Sequence, residues 1–218
     1  MSHEEHGDHL HDGSLVLEDD AGNRDGEDRV TALQRLLVRR GLVTPGEITL
    51  EVEKLEAPNP EWGAALVARA WVDPDYRARL LENGKEAAAE LGYRIGEAQL
   101  VVVDNTERVH NVIVCTLCSC YPRSLLGQPP AWYTSKAYRA RCVREPRNVL
   151  SEFGLDLPES MELYVHDSNA DMRYMVLPRR PPETDDLTEA ELRKLVTRDS
   201  LIGVTEALEP ALIQGARE

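Results

Sequence analysis

The sequence predicts an α+β chain, its strands and helices layered around a cysteine-rich turn with a helical arm ahead of them, and three features predict it. Asn59-Pro60-Glu61 and Asp73-Pro74-Asp75 each set a capping side chain before a proline, an arrangement that opens helices. Leu100-Val101-Val102-Val103 and Val112-Ile113-Val114 are short, continuous, β-branched runs that suit buried strands. The second run leads into Cys115-Thr116-Leu117-Cys118-Ser119-Cys120, which gathers three of the chain's four cysteines.

Residues 1–28 are rich in Asp, Glu, Gly and His and have almost nothing to bury, so they read as a disordered tail. His3, His6, His9 and His11 there suit either a tract that passes metal onward or a merely solvated tail or tag remnant. Residues 29–57 read as the helical arm. Val30, Leu33, Leu36 and Leu37 recur at helical spacing before a stop at Gly41, and Ile48, Leu50 and Leu55 follow Thr44-Pro45. Too small to fold alone, the arm is expected to lay its apolar stripe on a partner or on the main domain.

Residues 58–210 form that main domain. Its first helices carry Trp62, Ala65, Val67 and Ala68, then Tyr76, Leu80 and Leu81, with Gly84 and Gly92 as expected terminators. The two β-branched runs flank the polar turn Asp104-Asn105-Thr106 and read as neighbouring buried strands. His110, between them, is expected to be a hydrogen-bonded structural residue rather than a ligand. After the cysteines comes a Pro/Gly-rich loop (122–130), a helix opened by Ser135 and a second helix from Pro146 to a stop at Gly154. Cys142 on the first of these reads as core. Arg139, Arg141, Arg144 and Arg147 form a basic patch that could face a partner's carboxylates or pair internally. Glu162–Val165 and Arg173–Leu177 read as strands about Asp167-Ser168-Asn169, and Thr188 with Glu191 makes a capping box for a last helix through Val196.

The whole chain, 218 residues with 42% hydrophobic residues, can build one sizeable core. Its net charge of −14 argues against nucleic acid and against an anionic membrane surface. There is no apolar stretch of about 18 residues and no opening signal peptide, and a reactive thiol cluster fits a reducing cytoplasm.

Three thiols this close cannot pair off as disulfides, and as thiolates they would repel one another unless a cation neutralised them. A soft or borderline transition metal does that. A zinc ribbon or an iron–sulfur cluster lacks its fourth cysteine here, with only His110 and Cys142 as substitutes at uncharacteristic spacing. The single residue between Cys118 and Cys120 lets the backbone nitrogens of Ser119 and Cys120 join a chelate, leaving one octahedral position open. The spacing alone leaves structural zinc, an open catalytic metal and a thiol redox motif as alternatives.

Val114-Cys115-Thr116-Leu117-Cys118-Ser119-Cys120-Tyr121-Pro122 resembles the metal-binding signature of nitrile hydratase α subunits and thiocyanate hydrolase γ subunits. Gly127-Gln128-Pro129-Pro130-Ala131-Trp132-Tyr133, Tyr138-Arg139-Ala140-Arg141, Arg144-Glu145-Pro146-Arg147, Glu152-Phe153-Gly154, Asp167-Ser168, Arg173-Tyr174 and Thr197–Val204 extend the likeness over about residues 60 to 205. The resemblance implies a layered α-β-β-α catalytic domain in which Cys115, Cys118 and Cys120 bind the metal with the amide nitrogens of Ser119 and Cys120. It implies oxidation of Cys118 to sulfinic and Cys120 to sulfenic acid, and roles for Asp167 and Arg173 near the metal shell or the subunit interface. An ordinary strand-end ion pair is the plainer reading of those two.

Thr116 matches the cobalt-type sequence where iron-type members usually carry Ser, so Co(III) is expected, with Fe(III) the alternative. Oxidised sulfurs are weaker donors than thiolates, which leaves the metal a strong Lewis acid, and the Cys120 sulfenate oxygen can act as nucleophile or base. The implied activity is hydration of a nitrile to its amide, with a β-type partner subunit or subunits closing the pocket. Two departures stand out. Nitrile hydratases typically have Trp where this chain has Arg123, as thiocyanate hydrolase γ does, and a guanidinium there suits an anion or a polar heterocycle. Gly96 stands where nitrile hydratases often carry a Gln. The rival readings are thiocyanate hydrolysis, a three-subunit nitrile hydratase for heteroaromatic nitriles, and a cobalt-handling or maturation protein.

Overall fold

The computed structural model describes residues 24–118 and 120–210. The four tail histidines and Ser119 lie outside the described residues. The arm is two helices, α1 (Arg24–Arg39) and α2 (Pro45–Glu56), the first starting inside the stretch read as tail. Thr44 and Glu47 cap α2 reciprocally. Val30, Leu33, Leu36, Leu42, Leu50 and Val52 are all exposed, so the arm's apolar stripe is uncovered in the single chain.

Helices α3 (Pro60–Val72) and α4 (Pro74–Glu82) start where the sequence places them. The Asn59 side chain accepts the N–H of Glu61, and that of Asp73 accepts the N–H of Tyr76. Gly84 does not end α4. It is the first residue of α5 (Gly84–Glu90), capped by Asn83, and a Cβ there would lie 2.7 Å from the Leu100 carbonyl oxygen. The glycine marks a close approach of helix to strand, a use that looks the same in sequence as a terminator.

Four strands follow, β1 (Gln99–Asp104), β2 (Val109–Val114), β3 (Glu162–Asp167) and β4 (Met172–Leu177). β1 and β2 touch but do not pair with each other. β1 pairs in parallel with β4, and β2 in parallel with β3. The long crossover between β2 and β3 holds α6 (Arg123–Leu126), α7 (Ala131–Thr134), α8 (Lys136–Arg144) and α9 (Pro146–Glu152). Helices α4 and α5 pack on β1, α8 on β2 and α9 on β3. The architecture is thus α+β, with the core running from Ala64 to Val204. Cys142 is fully buried in it. The helix expected through Val196 is shorter, α10 (Glu189–Arg193), because Leu195 and Val196 turn inward on i→i+3 bonds before Thr197 caps α11 (Arg198–Ile202).

A buried polar network ties the strands together. Asn105 Oδ1 accepts from the backbone N–H and the side chain of Asn111 at 2.8 and 3.0 Å. Asn105 Nδ2 lies 3.1 Å from His110 Nδ1, and His110 Nε2 lies 2.8 Å from the Gly203 carbonyl, so the ring is a neutral Nε2–H tautomer that accepts from Asn105. His110 is therefore the structural residue expected. His166 Nε2 donates to Asn111 Oδ1 at 2.8 Å.

Burial lowers the pKa of both histidines, against a weaker opposing pull on His110 from its bond to the Gly203 carbonyl and from Glu206. A depressed histidine contributes stability that is present above its unfolded value, about 6.5, and is lost as pH falls from there through its folded value. Thermal unfolding midpoints are therefore expected to drop as pH falls below about 6.5, with a shallower slope in His110→Gln. A flat profile down to about pH 5 would refute the coupling.

Candidate metal centre

The register of β2 on β3 sets Val114 beside Asp167, and the Ser168 N–H donates to the Val114 carbonyl at 2.7 Å. This builds the site, because the cysteine turn leaves the sheet at Val114 with an aspartate already alongside. The Asp167 carboxylate accepts the Thr116 N–H at 2.9 Å and the Thr116 hydroxyl at 2.6 Å. Asp167 forms no ion pair among the described residues. Its side chain is a clamp on the first residue of the turn after Cys115, a role that nothing in the local sequence signals.

Cys115 is buried, Cys120 half-buried and Cys118 exposed. Their sulfurs lie within 4.8 Å of one another, with Cys115–Cys118 at 3.6 Å and Cys118–Cys120 at 3.0 Å. The Cys118 N–H points at Cys115 Sγ, 3.3 Å away. Burial pushes the Cys120 thiol up to about 12, helped by its contacts with Cys118 and Cys115. Three such sulfurs become thiolates together only with a cation among them, and this donor set fits a transition metal.

Two further groups hold the turn. Tyr133 of α7, itself buried, donates its O–H to the Cys120 carbonyl at 2.8 Å. Arg139 of α8 donates from Nη1 to the Cys118 carbonyl, also at 2.8 Å. Both sit in stretches of family likeness, yet neither composition nor spacing points to a role for them. Elsewhere in the basic patch Arg141 pairs with Glu145 and Glu152 and Arg147 donates to the carbonyls of Leu157, Pro158 and Met161, whereas Arg144 is exposed and donates to the Ala140 carbonyl of its own helix. Arg173 lies near enough to Cys120 to favour its thiolate, and its Nε and Nη1 are buried without a partner. The Tyr121 hydroxyl is likewise buried and unpaired. Arg123, the first residue of α6, is exposed.

A thiol triad at the end of a parallel strand, clamped from three separate elements, defines a metal-site protein built on an α+β scaffold. The family model "Nitrile hydratase, alpha chain" matches residues 24–205, and the chain belongs to that family. It is 49% identical to the high-molecular weight cobalt-containing nitrile hydratase subunit alpha of Rhodococcus rhodochrous, over 84% of this chain and 92% of that protein. It is 42% identical to the thiocyanate hydrolase subunit gamma of Thiobacillus thioparus, over 79% of this chain and 76% of that one. Among solved structures it superposes on an Fe-type nitrile hydratase double mutant from Comamonas testosteroni Ni1 with a TM-score of 0.79, at 46% identity over 87% of this chain and 93% of that chain. Among the described residues no helix is long and apolar enough to cross a membrane.

Proposed function

We propose that this chain is the metal-carrying α subunit of a cobalt-type nitrile hydratase, a hydro-lyase that adds water across C≡N to give an amide. The observation that carries the reading is the convergence of Cys115, Cys118 and Cys120 on one point, in a chain nearly half identical to a cobalt-containing α subunit. The three sulfurs would hold the metal together with the backbone nitrogens of Ser119 and Cys120. Trivalent cobalt is the expected ion, given Thr116; the likeness to an Fe-type enzyme makes iron the alternative. When bound, the metal supplies Lewis acidity toward the nitrile.

The chain's own residues do the rest. Cys118 as sulfinate and Cys120 as sulfenate are poorer donors than thiolates, and the Cys120 oxygen stands as nucleophile or base toward the nitrile carbon. Asp167 keeps Thr116, and with it the turn, in place. The unpaired N–H groups of Arg173 offer buried donors beside Cys120. Arg123, open to solvent in the single chain, would orient a polar or heteroaromatic substrate at the entrance.

The relatives are named as subunits, and Leu117, at the tip of the turn, is 84% exposed here. Such an apolar tip on a catalytic turn calls for a covering surface, which a β-type partner subunit would provide. In this reading helices lie on both sides of the paired sheets as an α-β-β-α layering, and the site is read as intracellular, in the cytoplasm.

Arg123 and the thiocyanate hydrolase relative favour a second reading, hydrolysis of thiocyanate to carbonyl sulfide and ammonia. One experiment separates the two: the cobalt-supplied chain with its partner chains is given simple nitriles, a heteroaromatic nitrile and thiocyanate. Amide is the expected product. Carbonyl sulfide with ammonia would establish the second reading, and no product from any substrate would refute both. Arg123→Trp should shift preference toward small apolar nitriles, and unchanged relative rates would remove Arg123 from the pocket.

A further inference from the structure

The turn that carries the thiols has little packing of its own. Thr116, Leu117 and Cys118 are exposed, so its shape depends on polar tethers from outside. Asp167 and Tyr133 provide two, and Arg139 is the third.

Arg139 is rigidly placed. Ser135 caps α8, and Tyr138, the residue before Arg139, is fully buried with its O–H on the Ile113 carbonyl of β2 at 2.6 Å. From there the Arg139 guanidinium reaches the Cys118 carbonyl. No carboxylate among the described residues pairs with it, although the chain has 39 acidic residues against 25 basic ones. Its Nε is buried and unpartnered. A half-buried guanidinium in an acidic protein ordinarily finds a carboxylate, as Arg141 does on the same helix. Arg139 instead places its positive charge on the carbonyl of Cys118, one of the three residues whose sulfurs become anionic when a metal binds.

We propose that Arg139 is a positioning residue of the metal turn, fixing the Cys118 carbonyl and keeping a positive charge against the thiolate cluster. The inference rests on the metal reading above and adds to it a residue of α8. Removing the guanidinium frees the exposed middle of the turn and leaves the cluster's negative charge less compensated. Metal retention should suffer more than folding, since α8 stays anchored through Tyr138 and Ser135.

The test uses the complete cobalt-loaded complex with its partner chains, carrying Arg139→Gln, Arg139→Lys or, as a control on the same helix, Arg144→Gln. Cobalt loss to a chelator is timed and the cobalt-centred absorption band recorded. Arg139→Gln should lose cobalt about tenfold faster or more, the scale seen when groups supporting metal ligands are removed, with a shifted band. Arg139→Lys, which keeps the charge but not the fork, should fall between, and Arg144→Gln should match the wild type. Wild-type retention with an unshifted band in Arg139→Gln overturns the proposal; if that variant does not assemble, wild-type behaviour of Arg139→Lys overturns it. Cys115→Ser, run alongside, separates the two levels. If it keeps its cobalt the metal reading itself fails, whereas if it loses cobalt while the Arg139 variants behave as wild type, only the role of Arg139 falls.

Discussion

Serine at Cys115, Cys118 or Cys120 is expected to reduce bound cobalt to background and to abolish turnover. A hydroxyl is a hard, weakly acidic donor that does not replace a thiolate toward a soft or borderline ion. Loss of groups that merely support metal ligands costs about 10- to 100-fold in affinity, so loss of a ligand should cost more. The three positions are not equivalent in folding terms. Cys115 is buried at the end of β2, whereas Cys118 is exposed, so Cys115→Ser should also destabilise the apo chain while Cys118→Ser should leave it unchanged. Metal analysis of the purified variants checks the first claim and denaturant midpoints the second. Retained cobalt with full turnover in any of the three would break the assignment.

The second large effect lies away from the thiols. Gly203 has φ +88°, and a Cβ built there would lie 2.0 Å from the Asn111 carbonyl oxygen and 3.0 Å from Val176 Cγ2. Backbone cannot yield as a flexible side chain can. Gly203→Ala therefore has to push α11 away from β2 and β4, disturbing the His110 bond to the Gly203 carbonyl as well. We expect a loss of roughly 4 kcal/mol or more, the range reached when strain and a broken buried network combine. Gly154 is the control, since it has φ +83° and a Cβ added to it would meet nothing within 4 Å. Gly154→Ala should cost only the left-handed backbone penalty, about 1 to 2 kcal/mol. Chemical denaturation of both variants decides it, and equal losses would show that the contact with Asn111 is not what fixes glycine at 203.

What could be read from the sequence was what is local. Caps at Asn59, Asp73, Ser135 and Thr188 announce their helices because the capping residue and the N–H it satisfies lie within three residues of each other. The cysteine spacing announced a metal site for the same reason. Strand partners were not legible. Continuous runs such as Val112-Ile113-Val114 signal that both faces are buried, but the partner strand lies far along the chain, beyond the helices α6 to α9.

The clamps on the turn depend on the same long-range register. Asp167 reaches Thr116 only because Val114 lies opposite it, and Arg139 reaches Cys118 only because Tyr138 seats α8 on β2. Gly84 shows the converse error, in which a local rule for helix ends was outweighed by the approach of α5 to β1.

The proposed hydration depends on a cobalt ion held by Cys115, Cys118 and Cys120, with two of them oxidised around it. X-ray absorption at the cobalt edge of the loaded complex, with mass spectrometry of the peptide spanning residues 115–123, tests this most directly. Trivalent cobalt in a sulfur-rich shell is expected, with two oxygens added to Cys118 and one to Cys120. A shell of nitrogen and oxygen alone, or three unmodified thiols around loosely held metal, would contradict it.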